Sequence, residues 1–228
     1  MHHLAVHANE YGRKQLLKKE RSGWHLLADE ADVTASLNQL ADLMRHAGMA
    51  GAWRSEQLAV QDEQGEQIAT IERGAVRPLG IATLAVHLVG QTTVGRFWVQ
   101  QRALNKPNDP GKWDTLMGGM VSAEDTVDTA LERETWEEAG LQMAELKNLH
   151  YGGRQSNCRP SSDGAAGYMH EFIEWYIATV PDGLTPTNQD GEVAQFVLMD
   201  TAQLLRAIEG GEFTTEAALI MCAVLALS

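Results

Sequence analysis

Apolar residues at Val33, Leu37, Leu40, Met44 and Ala47 recur every three or four positions. That is the period of a helix with one buried stripe. Asp32 is placed to cap its start and Gly48 to stop it. The pattern then changes: Gln57–Gln61 and Gln67–Glu72 read as two strands joined by the polar turn Asp62-Glu63-Gln64-Gly65. The hairpin is expected to end near Arg73-Gly74. A helix on a hairpin makes a small α+β N-terminal domain, residues 1–75, with a larger domain over 76–228. In the larger part, residues 81–89 and 97–103 are apolar, partly alternating strand segments that flank Gly90 and Gly95. Residues 106–112 form a loop with two prolines and a glycine. Residues 152–167 read as a long polar loop, a length that is often functional. Residues 172–180 and 193–199 read as strands, a helix begins over 201–208, and 214–227 is a final apolar helix. Strands and helices in this order predict an α-β-α sandwich around a mixed sheet.

Between the two groups of strands, residues 119–141 carry Arg133-Glu134 and Glu137-Glu138, closed by Ala139-Gly140-Leu141. On a helix, Glu134, Glu137 and Glu138 fall within an arc of about 100°. Like charges on one stripe repel by a few tenths of a kcal/mol per pair, so a cation that neutralises them is a natural partner. Carboxylate oxygens are hard ligands and suit Mg²⁺ or Mn²⁺ rather than zinc. A solvated acidic face is the alternative. Gly118-Gly119 lets the backbone approach a ligand closely. Arg133 can fix carboxylate geometry through bidentate hydrogen bonds, and Gly140 is a C-cap glycine.

This stretch resembles the Nudix box, G-x5-E-x7-R-E-U-x-E-E-x-G-U, with U aliphatic. Both glycines, Arg133, Glu134, Glu137, Glu138 and Leu141 match. Asp125, preceded by Glu124, stands where the first glutamate is usual, and Thr135 stands at an aliphatic position. The resemblance implies that Glu134, Glu137, Glu138 and the Gly119 carbonyl hold the metals. It also implies that Arg133 orients the carboxylates, itself held by Asp125 or Glu124. A glutamate outside the box often completes such sites, and Glu192 is the candidate, as a ligand or a general base; a solvated turn glutamate is the other reading. Leu79-Gly80-Ile81, Trp98, Gln101-Arg102, Lys106-Pro107, Trp113-Asp114 and Asp190-Gly191-Glu192-Val193 are similar to one Nudix branch. That branch carries a small domain before its Nudix domain, is fused in fungi to thiamine pyrophosphokinase and has plant relatives. It implies cleavage of thiamine diphosphate or its oxidised analogues to monophosphates. The N-terminal unit would then form a pocket wall or a homodimer contact.

Arg102 and Lys106 are candidates to bind phosphate, Arg as the bidentate partner; Arg154 and Arg159 are weaker ones. Trp98, Trp113, Trp175 and Tyr176 lie in strand segments, where large aromatics are mostly core. His87 reads as a satisfied core histidine. The two cysteines give no disulfide framework: Cys222 reads as core and Cys158 as a free thiol in a loop.

Composition narrows the function. The chain has 228 residues, 44% hydrophobic and 21% charged, with a formal net charge of -13. Such a charge argues against nonspecific nucleic-acid binding, but a bound divalent metal reverses the local field for a phosphorylated small molecule. No run approaches about 20 apolar residues, so no membrane span is expected, and a cytoplasmic location follows. The leading expectation is a metal-dependent pyrophosphohydrolase acting on a small-molecule diphosphate. Alternatives are a hydrolase of nucleoside diphosphate derivatives such as ADP-ribose, and a non-catalytic Nudix-like binding module. An isoprenyl diphosphate isomerase shares the fold, but it needs a site cysteine and histidine ligands that the box region lacks.

Overall fold

The computed structural model describes residues 16–21, 23–28, 33–161 and 167–227. The chain divides into two compact units. The first holds the described residues up to Thr83, together with Ser122–Glu124 and the described part of Cys158–His170. It opens with two short strands, β1 (Leu17–Lys19) and β2 (Trp24–Leu26), paired antiparallel. Helix α1 (Val33–His46) follows, buried through Leu37, Leu40, Ala41 and Met44 as its period requires. The Asp32 cap lies outside the described residues. Helix α1 packs on the hairpin of β3 (Gln57–Gln61) and β4 (Gln67–Glu72), where Leu58 pairs with Ile71. Asn38 joins the helix to the hairpin: its Oδ1 accepts from the Glu72 N–H at 3.1 Å and its Nδ2 donates to the Thr70 carbonyl at 3.2 Å.

The hairpin does not end the unit at Arg73-Gly74. A helix, α2 (Arg73–Leu79), continues from it. The Glu72 carboxylate accepts from the Gly74 N–H at 3.3 Å, and Gly80, in the left-handed region at φ 68°, stops the helix. The signal was there in Glu72 and Gly80, but seven residues with Pro78 inside carry too little apolar period to read as a helix.

The second unit is a sheet between two helical layers. Strands β5 (Ala82–Gln91), β6 (Phe97–Arg102), β7 (Trp113–Asp114), β8 (Met117–Met120), β9 (Lys147–Pro160), β10 (Tyr168–Thr179) and β11 (Val193–Met199) form it, in the order β11-β6-β5-β10-β9. Strand β7 pairs with β6 and β8 with β5. Helix α3 (Val127–Ala139) lies between β8 and β9, and α4 (Thr201–Glu209) and α5 (Thr215–Leu227) follow β11. Side chains alternate across the sheet. Ala85 and Val89 of β5 pack with Leu204 of α4 and Ile220 of α5, whereas Val86 and Leu88 pack with Ala130, Leu131 and Ala139 of α3. No helix among the described residues is long and apolar enough to cross a membrane.

Three expectations fail here. Residues 152–160 are not loop but the second half of β9. Their polarity hid a strand at the end of the sheet, where inward and outward positions alternate without an apolar run. Cys158 is accordingly an exposed strand residue with a free thiol, not a loop residue. Cys222 is exposed rather than core. Helix α5 is apolar all round, and its 3.6-residue period turns Ala217, Ile220, Met221 and Val224 inward. Cys222 is left on the outer side.

Gly152 lets β9 pass the buried Trp175 ring: a Cβ there would overlap Cζ3 and Cε3 of the indole. Trp175 is 3% exposed and has no room to retreat. Gly152→Ala is therefore expected to lower stability by about 1–3 kcal/mol, read as a fall in thermal midpoint by circular dichroism. An unchanged midpoint would mean that the ring is not confined.

Candidate active site

Helix α3 starts cleanly because Thr126 and Thr129 cap it reciprocally, and it stops at Gly140, left-handed at φ 63°. Its inward face is Ala130, Leu131, Thr135 and Ala139. Thr135 fits where an aliphatic residue is usual because its hydroxyl donates to the Leu131 carbonyl at 2.6 Å. Glu134 and Glu138 reach Gly119 and Gly118 of β8, whereas Glu137 is bonded to Arg133 and half-exposed.

Gly118 and Gly119 of β8 allow that meeting. A Cβ on Gly119 would overlap the Glu134 carboxyl carbon, and one on Gly118 would lie 2.5 Å from the His87 ring. The Gly118 N–H donates to Glu138 Oε2 at 3.0 Å. Gln100 Nε2 donates to the same oxygen at 2.8 Å. Glu138 is 2% exposed. Burial pushes its carboxyl up to about 8, against the Gly118 and Lys106 contributions and with the Glu134 charge. Burial also raises Glu134, opposed by Arg133 and reinforced by the Glu137 and Glu192 charges.

Arg133 stitches the acidic group together. Its Nε and Nη2 donate to Asp125 Oδ2 at 3.1 and 2.7 Å, and its Nη1 donates to Glu134 Oε1 at 2.8 Å and Glu137 Oε2 at 3.0 Å. Asp125 is thus the residue that holds the arginine. Lys106 pairs with the Glu192 carboxylate. Its charge acts on Glu138, and that of Glu192 acts on Glu134. Glu192, half-exposed, is thus paired with a cation in its turn.

Arg102 is placed differently. Its guanidinium donates to the Asn108 carbonyl at 3.2 and 3.3 Å and to Asp114 Oδ2 at 3.4 Å, which ties down the 106–112 loop. Arg154 stacks over Phe172 and pairs with Glu174 at 3.4 Å. His87 is buried, with Nδ1 2.9 Å from Thr115 Oγ1 and 3.6 Å from Asp114 Oδ1. Burial lowers its pKa, with Asp114 and Glu216 opposing. Trp175 is core, and Trp98, Trp113 and Tyr176 pack half-buried against the two cores.

Among the described residues, no three His, Cys, Asp or Glu side chains already converge on a metal position. Arg133 takes the oxygens of Glu134 and Glu137 in this arrangement. The donor set nevertheless fits a hard divalent cation in kind: three carboxylates beside a glycine backbone, one of them buried against its own charge. Close by, Gln100 Oε1 is buried without a hydrogen-bond partner. Sequence reasoning missed Gln100. The available signal was a polar residue at an inward position of an apolar strand.

Comparison with known proteins agrees with this architecture. The NUDIX domain family model matches residues 78–217. The chain is similar to Nudix hydrolase 24, chloroplastic, of Arabidopsis thaliana, 26% identical over 200 residues, which cover 82% of this chain and 52% of the plant protein. It thus spans about half the length of that plant relative. It is also similar to the isopentenyl-diphosphate Delta-isomerase of Kocuria rhizophila, 25% identical over 162 residues, covering 69% of this chain and 85% of that one. A crystal structure of the Deinococcus radiodurans protein DR0079 shares the fold, with a TM-score of 0.55 and 21% identity over 74% of this chain and 99% of that one.

Proposed function

The chain belongs to the Nudix family, and from that premise we propose that it is a metal-dependent pyrophosphohydrolase that cleaves a small organic diphosphate to the monophosphate. The observation that carries this reading is the α3 group: Glu134, Glu137 and Glu138 beside Gly118-Gly119, with Arg133 anchored on Asp125. Glu134, Glu137, Glu138 and the Gly119 carbonyl would hold Mg²⁺ or Mn²⁺. When bound, such an ion offsets the charge of the diphosphate oxygens and makes water acidic enough to supply a nucleophile near neutral pH. Arg133 orients the carboxylates, and Glu192 accepts the proton of the attacking water. Lys106, which pairs with Glu192, would turn from it to a substrate phosphate. Arg102 holds the loop that carries it, and on this reading supports phosphate binding through that loop.

Thiamine diphosphate and its oxidised analogues are the favoured substrates, on the flanking motifs around Gly80, Lys106 and Glu192. Nucleoside diphosphate derivatives such as ADP-ribose are the alternative. In this reading a small N-terminal accessory domain precedes the Nudix domain, and the enzyme works in the cytoplasm as a homodimer. An isomerase reading, prompted by the similarity to the Kocuria rhizophila protein, is weaker. Gln100, Lys106, Arg133 and Glu192 surround the α3 carboxylates, and no cysteine is among them.

Product analysis by mass spectrometry tests the substrate class. The protein with Mg²⁺ would be given thiamine diphosphate, its oxo analogue, ADP-ribose and isopentenyl diphosphate. Monophosphate from the thiamine compounds supports the whole reading. Cleavage of ADP-ribose alone keeps the chemistry and rejects the substrate. Isomerised product without phosphate cleavage, or binding without any cleavage, rejects the chemistry.

A further inference from the structure

We propose that Gln100 is a positioning residue that dictates which oxygen of Glu138 is open to a divalent cation. The inference rests on the metal-site reading above and deepens it. Strand β6 alternates: Phe97 and Val99 face the α4–α5 core, whereas Trp98 packs on the α3 side. Gln100 follows Trp98 on that side, 1% exposed. Its Nε2 and the Gly118 N–H both donate to Glu138 Oε2, at 2.8 and 3.0 Å. Two donors use the two lone pairs of that oxygen. That leaves Oε1 as the oxygen that would face a cation.

The other end of the amide argues that Gln100 is kept for this purpose. Its Oε1 is the only buried side-chain polar atom without a hydrogen-bond partner among the described residues. A buried acceptor without a donor is costly, and an apolar side chain of the same shape escapes that cost. Only the N–H end of Gln100 is used, and the side chain that uses it is Glu138. The benefit is therefore sought in the carboxylate and not in the core.

Gln100→Met keeps the length and removes the donor. Mn²⁺ binding, followed by electron paramagnetic resonance of the free ion without substrate, would be measured for wild type, Gln100→Met, Glu138→Gln and the double variant. Thermal midpoints without metal would be taken alongside. Loss of a side chain that orients a metal ligand weakens affinity roughly 10–100-fold, and that loss is expected here with a midpoint equal to or above wild type. In the Glu138→Gln background the same change should move Mn²⁺ affinity by less than about twofold, because a residue acting through Glu138 has nothing left to act on. At saturating Mg²⁺ the KM for the diphosphate should be unchanged. Wild-type Mn²⁺ affinity in a folded Gln100→Met protein, or an equal loss in both backgrounds, would overturn the proposal. So would failure of Gln100→Met to fold, which would make the amide structural. If wild type binds no Mn²⁺, the metal-site reading falls as well, so the two failures are distinct.

Discussion

Glu137→Gln is expected to lower diphosphate turnover by at least about a hundredfold while leaving the fold intact. The two halves of this expectation have separate grounds. Glu137 lies on the outer side of α3, its side chain 44% exposed, and its one ion pair is with Arg133 at 3.0 Å. An exposed pair of this kind contributes about 0.3–0.5 kcal/mol, so the thermal midpoint should hardly move. Arg133 also keeps its bonds to Asp125 and Glu134, and the arginine is not released. The chemistry is more sensitive. An amide has the shape of the carboxylate but not its charge, and a hard cation among three carboxylates loses one of them. Steady-state turnover at saturating Mg²⁺, with a melting curve for the same preparation, checks both halves. Near-wild-type turnover would remove Glu137 from the machinery and with it the proposed ligand set.

The second large effect concerns Glu138 and pH. In the folded chain its carboxyl holds its proton up to about pH 8, and its ordinary value is 4.5. Below that ordinary value both folded and unfolded chains are protonated, and the group is neutral to stability. Between the two values the folded chain carries the extra proton, so stability falls as pH rises. Above the folded value the loss is complete. For a group 2% exposed the loss amounts to a few kcal/mol. Denaturant unfolding in EDTA, at pH values spanning that window, should show this decline in wild type and a much flatter profile in Glu138→Gln. A divalent metal needs the ionised carboxylate. Its stabilising effect should therefore grow as pH rises, and it should shrink sharply in the variant. Equal pH slopes for wild type and Glu138→Gln would show that Glu138 is not the group that resists ionisation.

Much of the fold was legible where one local rule dominates. Helix α1 announces itself by period, the β3–β4 hairpin by alternation and its turn, and α3 by the Nudix spacing and Gly140. The elements that escaped are those whose reason lies in neighbours. The second half of β9 is polar because it ends a sheet, and its glycine matters only because Trp175 passes there. Helix α2 is set by a carboxylate cap and a left-handed glycine rather than by an apolar stripe. In the site, the stripe of glutamates could be read directly, whereas the sequence left both Asp125 and Glu124 open as holders of Arg133. The structure chose Asp125. The pairing of Lys106 with Glu192 bridges positions far apart in the chain, as does that of Gln100 with Glu138. No local pattern encodes such pairs; strand order and register bring them together.

The α3 carboxylates are expected to support metal-dependent cleavage of a diphosphate. The most direct measurement is release of monophosphate by the purified chain with Mg²⁺, after removal of metal with EDTA, and after Mg²⁺ is restored. The expected result is monophosphate that appears with Mg²⁺, stops with EDTA and returns with the metal. Cleavage that continues unchanged in EDTA, or a protein that binds a diphosphate and never cleaves it at any Mg²⁺ concentration, would contradict the account.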